Sequence, residues 1–504
     1  FSSPVFSQAK ITNTVCQLHT KSLKLSRYFF LFFAKMCSVQ EGDIENINTS
    51  KNTRRQLTTD KTKCMKCADT LAVVIVRGND PLCKGCFLAY FVHKFRATIG
   101  KARVIRQGER VLLAFSGGLC SRAMLHMVCE GLSQSAVKKF RFIPGVVFVD
   151  EGATLGLGQE ERNSNISRVR TLVEKTGFSF HIARLEDVFE DQHSSVNVER
   201  QDHQNSCLCK VPLSERKSVP CLNLSAAEKI KQLFKELTSM TSKEDWLLRL
   251  RNEVLCKVAR DEGYSKVMLG NCATRVAVQL LSNISQGRGG ALLYDISFAD
   301  DRYADITFVR PMREFMAKEI ALYNYFNGNT TVNIATLAAM SGAYSSIDQL
   351  TENFVIGLQE EYSFTVNTIF RTGEKLASKE KMDNDNQCTM CGVPINNANR
   401  TLNHVTQDVA RLEINENILS TKVPCLNEFE GACSNICKVA SEVEPKLTLN
   451  DIVSTLCYGC QLTLKDINSL NVDNLPPFLK SAAQKVLQRS KMKEQIQEFL
   501  IEDE

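Results

Sequence analysis

The 504-residue chain has no apolar run long enough to cross a bilayer. Its densest hydrophobic stretch, Tyr28–Ala34 (YFFLFFA), falls well short of the roughly 20 residues a spanning helix needs. It also has no acid among residues 1–35, which carry Lys10, Lys21, Lys24, Arg27 and Lys35. Setting those five aside leaves 57 basic against 56 acidic residues, a net charge of +1 in place of +6. A body this close to neutral has no global field, so any nucleic-acid surface must be a local patch. No methionine precedes Met36, and no repeat is evident beyond paired Cys-x-x-Cys motifs. The acid-free, Ser- and Lys-containing leader fits either a mitochondrial transit peptide or upstream sequence ahead of a natural start at Met36. The second is the expectation. No secretory signal is present, so the thiols are expected to stay reduced, in the cytoplasm.

What the chain does have is 20 cysteines, and their spacing decides how they are read. Cys64-x-x-Cys67 and Cys83-x-x-Cys86 are separated by fifteen residues, with Lys84 and Gly85 inside the second knuckle. Each knuckle presents two thiolates from one turn, and two knuckles complete a tetrahedral Zn²⁺ site, so a structural zinc ribbon is expected over 61–90. Cys388-x-x-Cys391 and Cys457-x-x-Cys460 form a second set across a sixty-five-residue gap. That gap contains Cys425, Cys433 and Cys437, which leave other ligand sets open.

Val111–Ser121, VLLAFSGGLCS, reads as a buried strand over Val111–Phe115, a tight turn at Ser116-Gly117-Gly118 and a helix over about Leu119–Leu132. Glycines let a backbone approach a ligand closely, and the helix turns its free N–H groups and positive dipole end toward the turn. Ser116 and Ser121 add hydroxyls. The combination suits a phosphate or pyrophosphate, although an ordinary strand–turn–helix corner has the same look.

Further strands are expected at Val146–Asp150, Phe178–Ala183, Lys266–Leu269 and Ile306–Val309, with helices near Glu160–Thr176, Lys243–Glu262 and Arg313–Asn327. Strands alternating with helices imply a doubly wound parallel sheet, with ligands at the carboxyl ends of its strands. Ser116, Asp150 and Gly270 all fall at such ends. The rhythm breaks over 187–242, an insertion carrying Cys207, Cys209 and Cys221 and one helix near Ala226–Leu237. Upstream of the sheet, Cys86 to about Arg106 has helical periodicity, with Phe87, Tyr90, Phe91 and Phe95 on one stripe. Its other face carries Lys94, Arg96, Lys101, Arg103 and Arg106, a solvated face or a phosphate-contacting patch.

In this order the features resemble the PP-loop ATP-pyrophosphatase class of tRNA thiolation proteins. Within it the chain most resembles the cytoplasmic tRNA 2-thiolation protein 2 family, over about residues 61–465. The resemblance implies a PP-loop/HUP-like α/β domain over 91–380 with zinc ribbons on both flanks, the C-terminal one over 381–465 with its own insertion. A leader and polar segment (1–60) precede these, and a helical tail (466–504) follows. It also implies a part in making the 2-thio group of wobble uridine in tRNAs for Lys, Glu and Gln. Active members adenylate the uridine with ATP and deliver sulfur from a thiocarboxylated ubiquitin-like carrier.

The departures point to a degenerate partner subunit. Active members read SGG-x-D-S, whereas Cys120 stands at the acid position here and Arg122 follows Ser121. Their second motif, GHN-x-D-D, corresponds here to Gly270-Asn271-Cys272-Ala273-Thr274-Arg275. A carboxylate pair would hold Mg²⁺ on the triphosphate, and both are missing. No cysteine occurs between Cys272 and Cys388, where active members place one. The expectation is a non-catalytic subunit that pairs with an active PP-loop paralogue and tRNA, with ATP binding in doubt at Ser116, Gly117, Gly118, Ser121 and Gly270. The alternatives are a complete ATP-dependent tRNA sulfurtransferase or a zinc-ribbon RNA-binding scaffold.

Overall fold

The computed structural model describes residues 63–76, 80–133, 139–189, 224–303, 305–340, 342, 345–376, 387–395, 447–468 and 472–497. The leader with Met36, the stretch of the insertion holding Cys207, Cys209 and Cys221, and the segment holding Cys425, Cys433 and Cys437 lie outside the described residues.

The chain enters through a short antiparallel hairpin, β1 (Val74–Val76) and β2 (Asp80–Leu82), followed by helix α1 (Lys84–Ala102). Phe87, Phe91, Phe95 and Ile99 recur every four residues on α1 and are all buried. Then come β3 (Arg110–Ala114), α2 (Leu119–Leu132), β4 (Ile143–Asp150), α3 (Gln159–Glu174) and β5 (Ser179–Arg184). After the insertion the order is α4 (Leu224–Glu236), α5 (Met240–Asp261), β6 (Lys266–Met268), α6 (Ala273–Ser285) and α7 (Leu292–Ile296). Next are β7 (Ala299–Tyr303), β8 (Ile306–Val309) and α8 (Ala317–Phe326).

The large sheet has the order β5-β4-β3-β6-β8-β7. Every neighbouring pair is parallel except β7 with β8, which is antiparallel. This is the expected α/β architecture with a mostly parallel sheet. β3 is the first strand of the sheet, and the chain builds outward on one side of it before returning to the other at β6. The β3/β6 boundary is therefore the switch point, where the crevice of such sheets opens.

Alternation along β3 divides the core between the two faces of the sheet. Leu112 points into a cluster with Val147, Ala183, Val267, Phe308 and the apolar face of α5. Val111 and Leu113 point into the other, with Val146, Phe148, Met268, α1, α2 and α8. On that second face Phe91 stacks on Tyr323 at 4.1 Å and meets Phe315 at 4.5 Å, which fixes α1 on α8.

Beyond the sheet, α9 (Leu337–Met340), α10 (Ile347–Glu361) and α11 (Thr365–Leu376) pack around α6. Short helices α12 (Leu449–Ser454) and α13 (Tyr458–Lys465) and the long α14 (Pro477–Gln497) end the described chain. α14 docks through Leu479 and Ala483 into the α5-side core.

Candidate functional site

The structure brings the eight knuckle cysteines together as two tetrads. In each, all four sulfurs lie within 4.8 Å of one another. In the first, Ala68 takes a left-handed φ of 58° so that the Cys64–Cys67 knuckle can fold back, and Ala68 N–H donates to Cys64 O at 2.8 Å. The second knuckle is the start of α1, where Cys83 caps the helix by accepting from Cys86 N–H at 3.4 Å. Cys67 Sγ lies 3.9 Å from Cys83 Sγ. Four thiolates at the usual zinc distance sit about 3.8 Å apart, so the donor set fits one tetrahedral ion. A hydrogen bond from the Thr70 hydroxyl pulls the Cys67 thiol down to about 6, poising it as a thiolate ligand.

The second tetrad spans 66 residues of sequence yet closes as tightly, with Cys391 Sγ 3.7 Å from Cys457 Sγ. Gly392 at φ 68° turns the first knuckle, and Cys457 N–H donates to Cys388 Sγ at 3.2 Å. Three of its four cysteines are buried in the α5-side core. Beside it lies an ion network that sequence reasoning missed. Asp245 on α5 accepts from Arg288 at 2.5 and 2.7 Å and from Arg249 at 3.2 Å. Arg288 also donates to Thr463 Oγ1 at 2.9 Å, on the helix that carries Cys460. Burial alone would lower the pKa of Arg249, but Asp245, Cys391 and Cys460 together drive it up. A dication with four thiolates carries a net charge of −2, and two buried guanidinium groups offset it. The cations come from positions 249 and 288, far from either knuckle, and no local pattern marks them.

At the switch point the strand ends of β3 and β6 meet. Gly117 has φ 81°, and its carbonyl accepts from Val332 N–H at 3.0 Å. A Cβ on Gly117 would lie 3.2 Å from Val332, so the turn is roofed by the 330–334 segment. Arg122 Nε donates to Thr330 O at 3.2 Å and pins the same segment. Ser116 and Ser121 share a hydroxyl hydrogen bond of 3.3 Å, and Ser121 Oγ donates to Gly118 O at 3.1 Å. A Cβ on Gly270 would come within 3.1 Å of Ser121 N, so the five residues expected at a phosphate loop do converge. Cys120 and Cys272 meet there as a hydrogen-bonded pair.

The carboxylates at the neighbouring strand end are already engaged. Asp150 binds Arg162 at 2.6 Å and accepts from Gly152 N–H at 3.0 Å, and Glu151 pairs with Arg251. Among the described residues, the groups arranged to hold a metal ion are the two tetrads.

The five cations of the basic helix separate. Lys101, Arg103 and Arg106 are exposed around the C-terminus of α1, and Arg96 is half-buried. Lys94 instead turns inward, with its ammonium 3.1 Å from Glu319 and over the Phe315 ring at 4.5 Å. Its position next to the buried stripe, opposite a carboxylate on α8, accounts for this.

The family model described as cytoplasmic tRNA 2-thiolation protein 2 matches residues 346–462. Cytoplasmic tRNA 2-thiolation protein 2 of Xenopus tropicalis is 38% identical over 491 residues, covering 87% of this chain and 94% of the relative. The protein of that name from Danio rerio is 36% identical (88% and 95% covered), and that from Homo sapiens 34% (88% and 93%). Among solved structures, the U34-tRNA thiolase NcsA of Methanococcus maripaludis, with its 4Fe-4S cluster, aligns with a TM-score of 0.43 at 16% identity. That alignment covers 65% of this chain and 91% of the thiolase. Similarity to the curated relatives at this level, along nearly their whole length, shows that the chain belongs to the cytoplasmic tRNA 2-thiolation protein 2 family.

Proposed function

We propose that this chain serves cytoplasmic tRNA 2-thiolation as the non-catalytic subunit of a heterodimeric sulfurtransferase. The names of its relatives support the process and the compartment. The finer reading is that an active PP-loop paralogue adenylates the wobble uridine of tRNAs for Lys, Glu and Gln. That paralogue receives sulfur from a thiocarboxylated ubiquitin-like carrier, and this chain supplies structure and tRNA contact.

The observation that carries the reading is the crevice itself. Its turn and helix keep the form of a phosphate cradle, yet thiols and an arginine (Cys120, Cys272, Arg275) stand where Mg²⁺-binding carboxylates are needed. The nearest carboxylates, Asp150 and Glu151, are held by Arg162 and Arg251. Val332 also occupies the Gly117 carbonyl and covers the turn, which favours a structural corner over an ATP site.

In this reading both tetrads hold structural Zn²⁺ through Cys64, Cys67, Cys83 and Cys86, and through Cys388, Cys391, Cys457 and Cys460. The ion would supply the cross-link each fold lacks, with no part in the reaction. Lys101, Arg103 and Arg106, with Arg96 beside them, contact tRNA phosphates. Lys94 is left out of that surface because Glu319 holds it.

The test is reconstitution: tRNA, ATP and sulfur donor are given to this chain alone, to the active paralogue alone and to both, with 2-thiouridine counted by nucleoside mass spectrometry. Thiolation that needs the paralogue and rises with this chain supports the reading. Thiolation by this chain alone would establish a complete sulfurtransferase.

A further inference from the structure

Four described cysteines lie outside the tetrads: Cys120, Cys129, Cys256 and Cys272. Burial pushes the Cys129 thiol up to about 11, and burial likewise raises that of Cys256, as expected of inert core thiols. Cys120 and Cys272 differ because each has the other as its partner. We infer that Cys120 and Cys272 form a peroxide-reactive thiol pair that closes into a disulfide across the ends of β3 and β6.

The placement follows from the topology. β3 and β6 are adjacent and parallel, with Leu113 opposite Met268, so the chain leaves both strands at the same edge of the sheet. Cys120 lies in the first turn of α2, and Cys272 caps α6. The two turns pack so closely that a Cβ on Gly270 would sit 3.2 Å from the Cys120 carbonyl carbon. Only the absence of a side chain at Gly270 lets the two sulfurs face each other.

Their surroundings assign different roles. The hydrogen bond from Cys120 and then the backbone N–H of Arg275, its guanidinium and the N–H of Thr274 outweigh burial at Cys272, bringing its thiol down to about 7. The same hydrogen bond, with burial, holds Cys120 protonated. Cys272 is thus the nucleophile and Cys120 the resolving thiol. Cys272 is only 5% exposed, so the site admits an oxidant of water-like size and shuts out bulky disulfides. Hydrogen peroxide is the matching class.

The chemistry balances in two steps. The Cys272 thiolate attacks one peroxide oxygen, the O–O bond breaks, and the departing hydroxide takes the proton of Cys120 to leave as water. Cys272 is then a sulfenic acid. The Cys120 thiolate attacks that sulfur, the S–O bond breaks, and a solvent proton converts the second hydroxide to water. Two thiol sulfurs are oxidised by two electrons in total, and peroxide is reduced to two waters. The product ties the two strand ends at the switch point and removes the only free thiolate from the crevice among the described residues.

Trypsin isolates each cysteine in its own peptide, residues 111–122 for Cys120 and 267–275 for Cys272, which makes the test direct. The full-length, zinc-loaded protein is treated with hydrogen peroxide, alkylated without reduction and mapped by mass spectrometry. The expected result is one peptide pair, 111–122 joined to 267–275 and lighter by two hydrogens. In Cys120→Ser, dimedone should trap a sulfenic acid on 267–275, whereas in Cys272→Ser peptide 111–122 should stay unmodified. Circular dichroism checks that both variants fold, and oxidation of the exposed Met65 reports that peroxide reached the protein. Separate, reduced peptides at a dose that oxidises Met65 would overturn the inference. So would a dimedone adduct on Cys120 in folded Cys272→Ser. The test needs neither tRNA nor partner, so its outcome is independent of the proposed function.

Discussion

The two tetrads have the same donors and opposite settings. The first is local in sequence, stands on a two-stranded hairpin and the first turn of α1, and joins the core on one face of the sheet. The second is assembled from knuckles 66 residues apart and is sunk into the core on the other face. There it shares an ion network with α5 and with the loop at Arg288. An exposed tetrad can lose its ion and fray by itself. A buried one can lose its ion only by leaving thiols and two guanidinium groups without their counter-charge. The comparison separates a peripheral clip from a central staple, and the predictions below rank them.

The largest effect is expected from Cys388→Ser. Structural zinc in a four-thiolate site contributes on the order of 10 kcal/mol to folding, and this site is continuous with the main core. The variant should lose one zinc per chain, measured by metal analysis, and most of its soluble yield. Asp245→Asn comes next. Removing one partner of a buried, hydrogen-bonded ion cluster costs about 3–5 kcal/mol, read from denaturant unfolding.

The pH dependence follows from the same residue. Burial would raise the carboxyl pKa of Asp245, but Arg249 and Arg288 overcome it and hold it below the ordinary range. Its stabilisation is therefore full above the unfolded value of about 3.9 and is lost as pH falls through the folded value. Asp245→Asn should abolish that acid-side loss; an identical pH profile in both proteins would remove Asp245 from the account.

Cys64→Ser/Cys67→Ser should also release one zinc, but the midpoint of sheet unfolding should move by less than half the shift of Cys388→Ser. Equal shifts would erase the distinction between the tetrads. The smallest effect on stability belongs to Lys101→Ala/Arg103→Ala/Arg106→Ala. These changes should leave folding intact and lower the salt dependence of tRNA binding by about 1 per lost phosphate contact. An unchanged slope would make this a solvated helix end.

Much of the fold was legible because it rests on local signals. β3, β6 and β8 are short apolar runs, and the α1 stripe repeats every four residues. β7, in contrast, reads ADDRY, and its inward residues are Asp300 and Arg302. Its burial depends on pairing with Asp295 and Arg310, so no apolar alternation announces it. Helix α8 begins at Ala317, four residues later than its periodicity suggests. Arg313 is held outside it by the Ile296 carbonyl and Glu374. The cysteine pairing was legible from spacing. The Asp245–Arg288 network was not, because three distant segments meet there, and Lys94 looked solvent-facing until Glu319 was placed opposite it.

The central claim, that this crevice no longer performs nucleotide chemistry, is tested most directly by pyrophosphate release from ATP. The purified chain is assayed with saturating tRNA and Mg²⁺ and without its paralogue. The account predicts release no faster than in a protein-free control. Sustained release by this chain alone, lost in a Gly117→Val variant that remains folded, would contradict it.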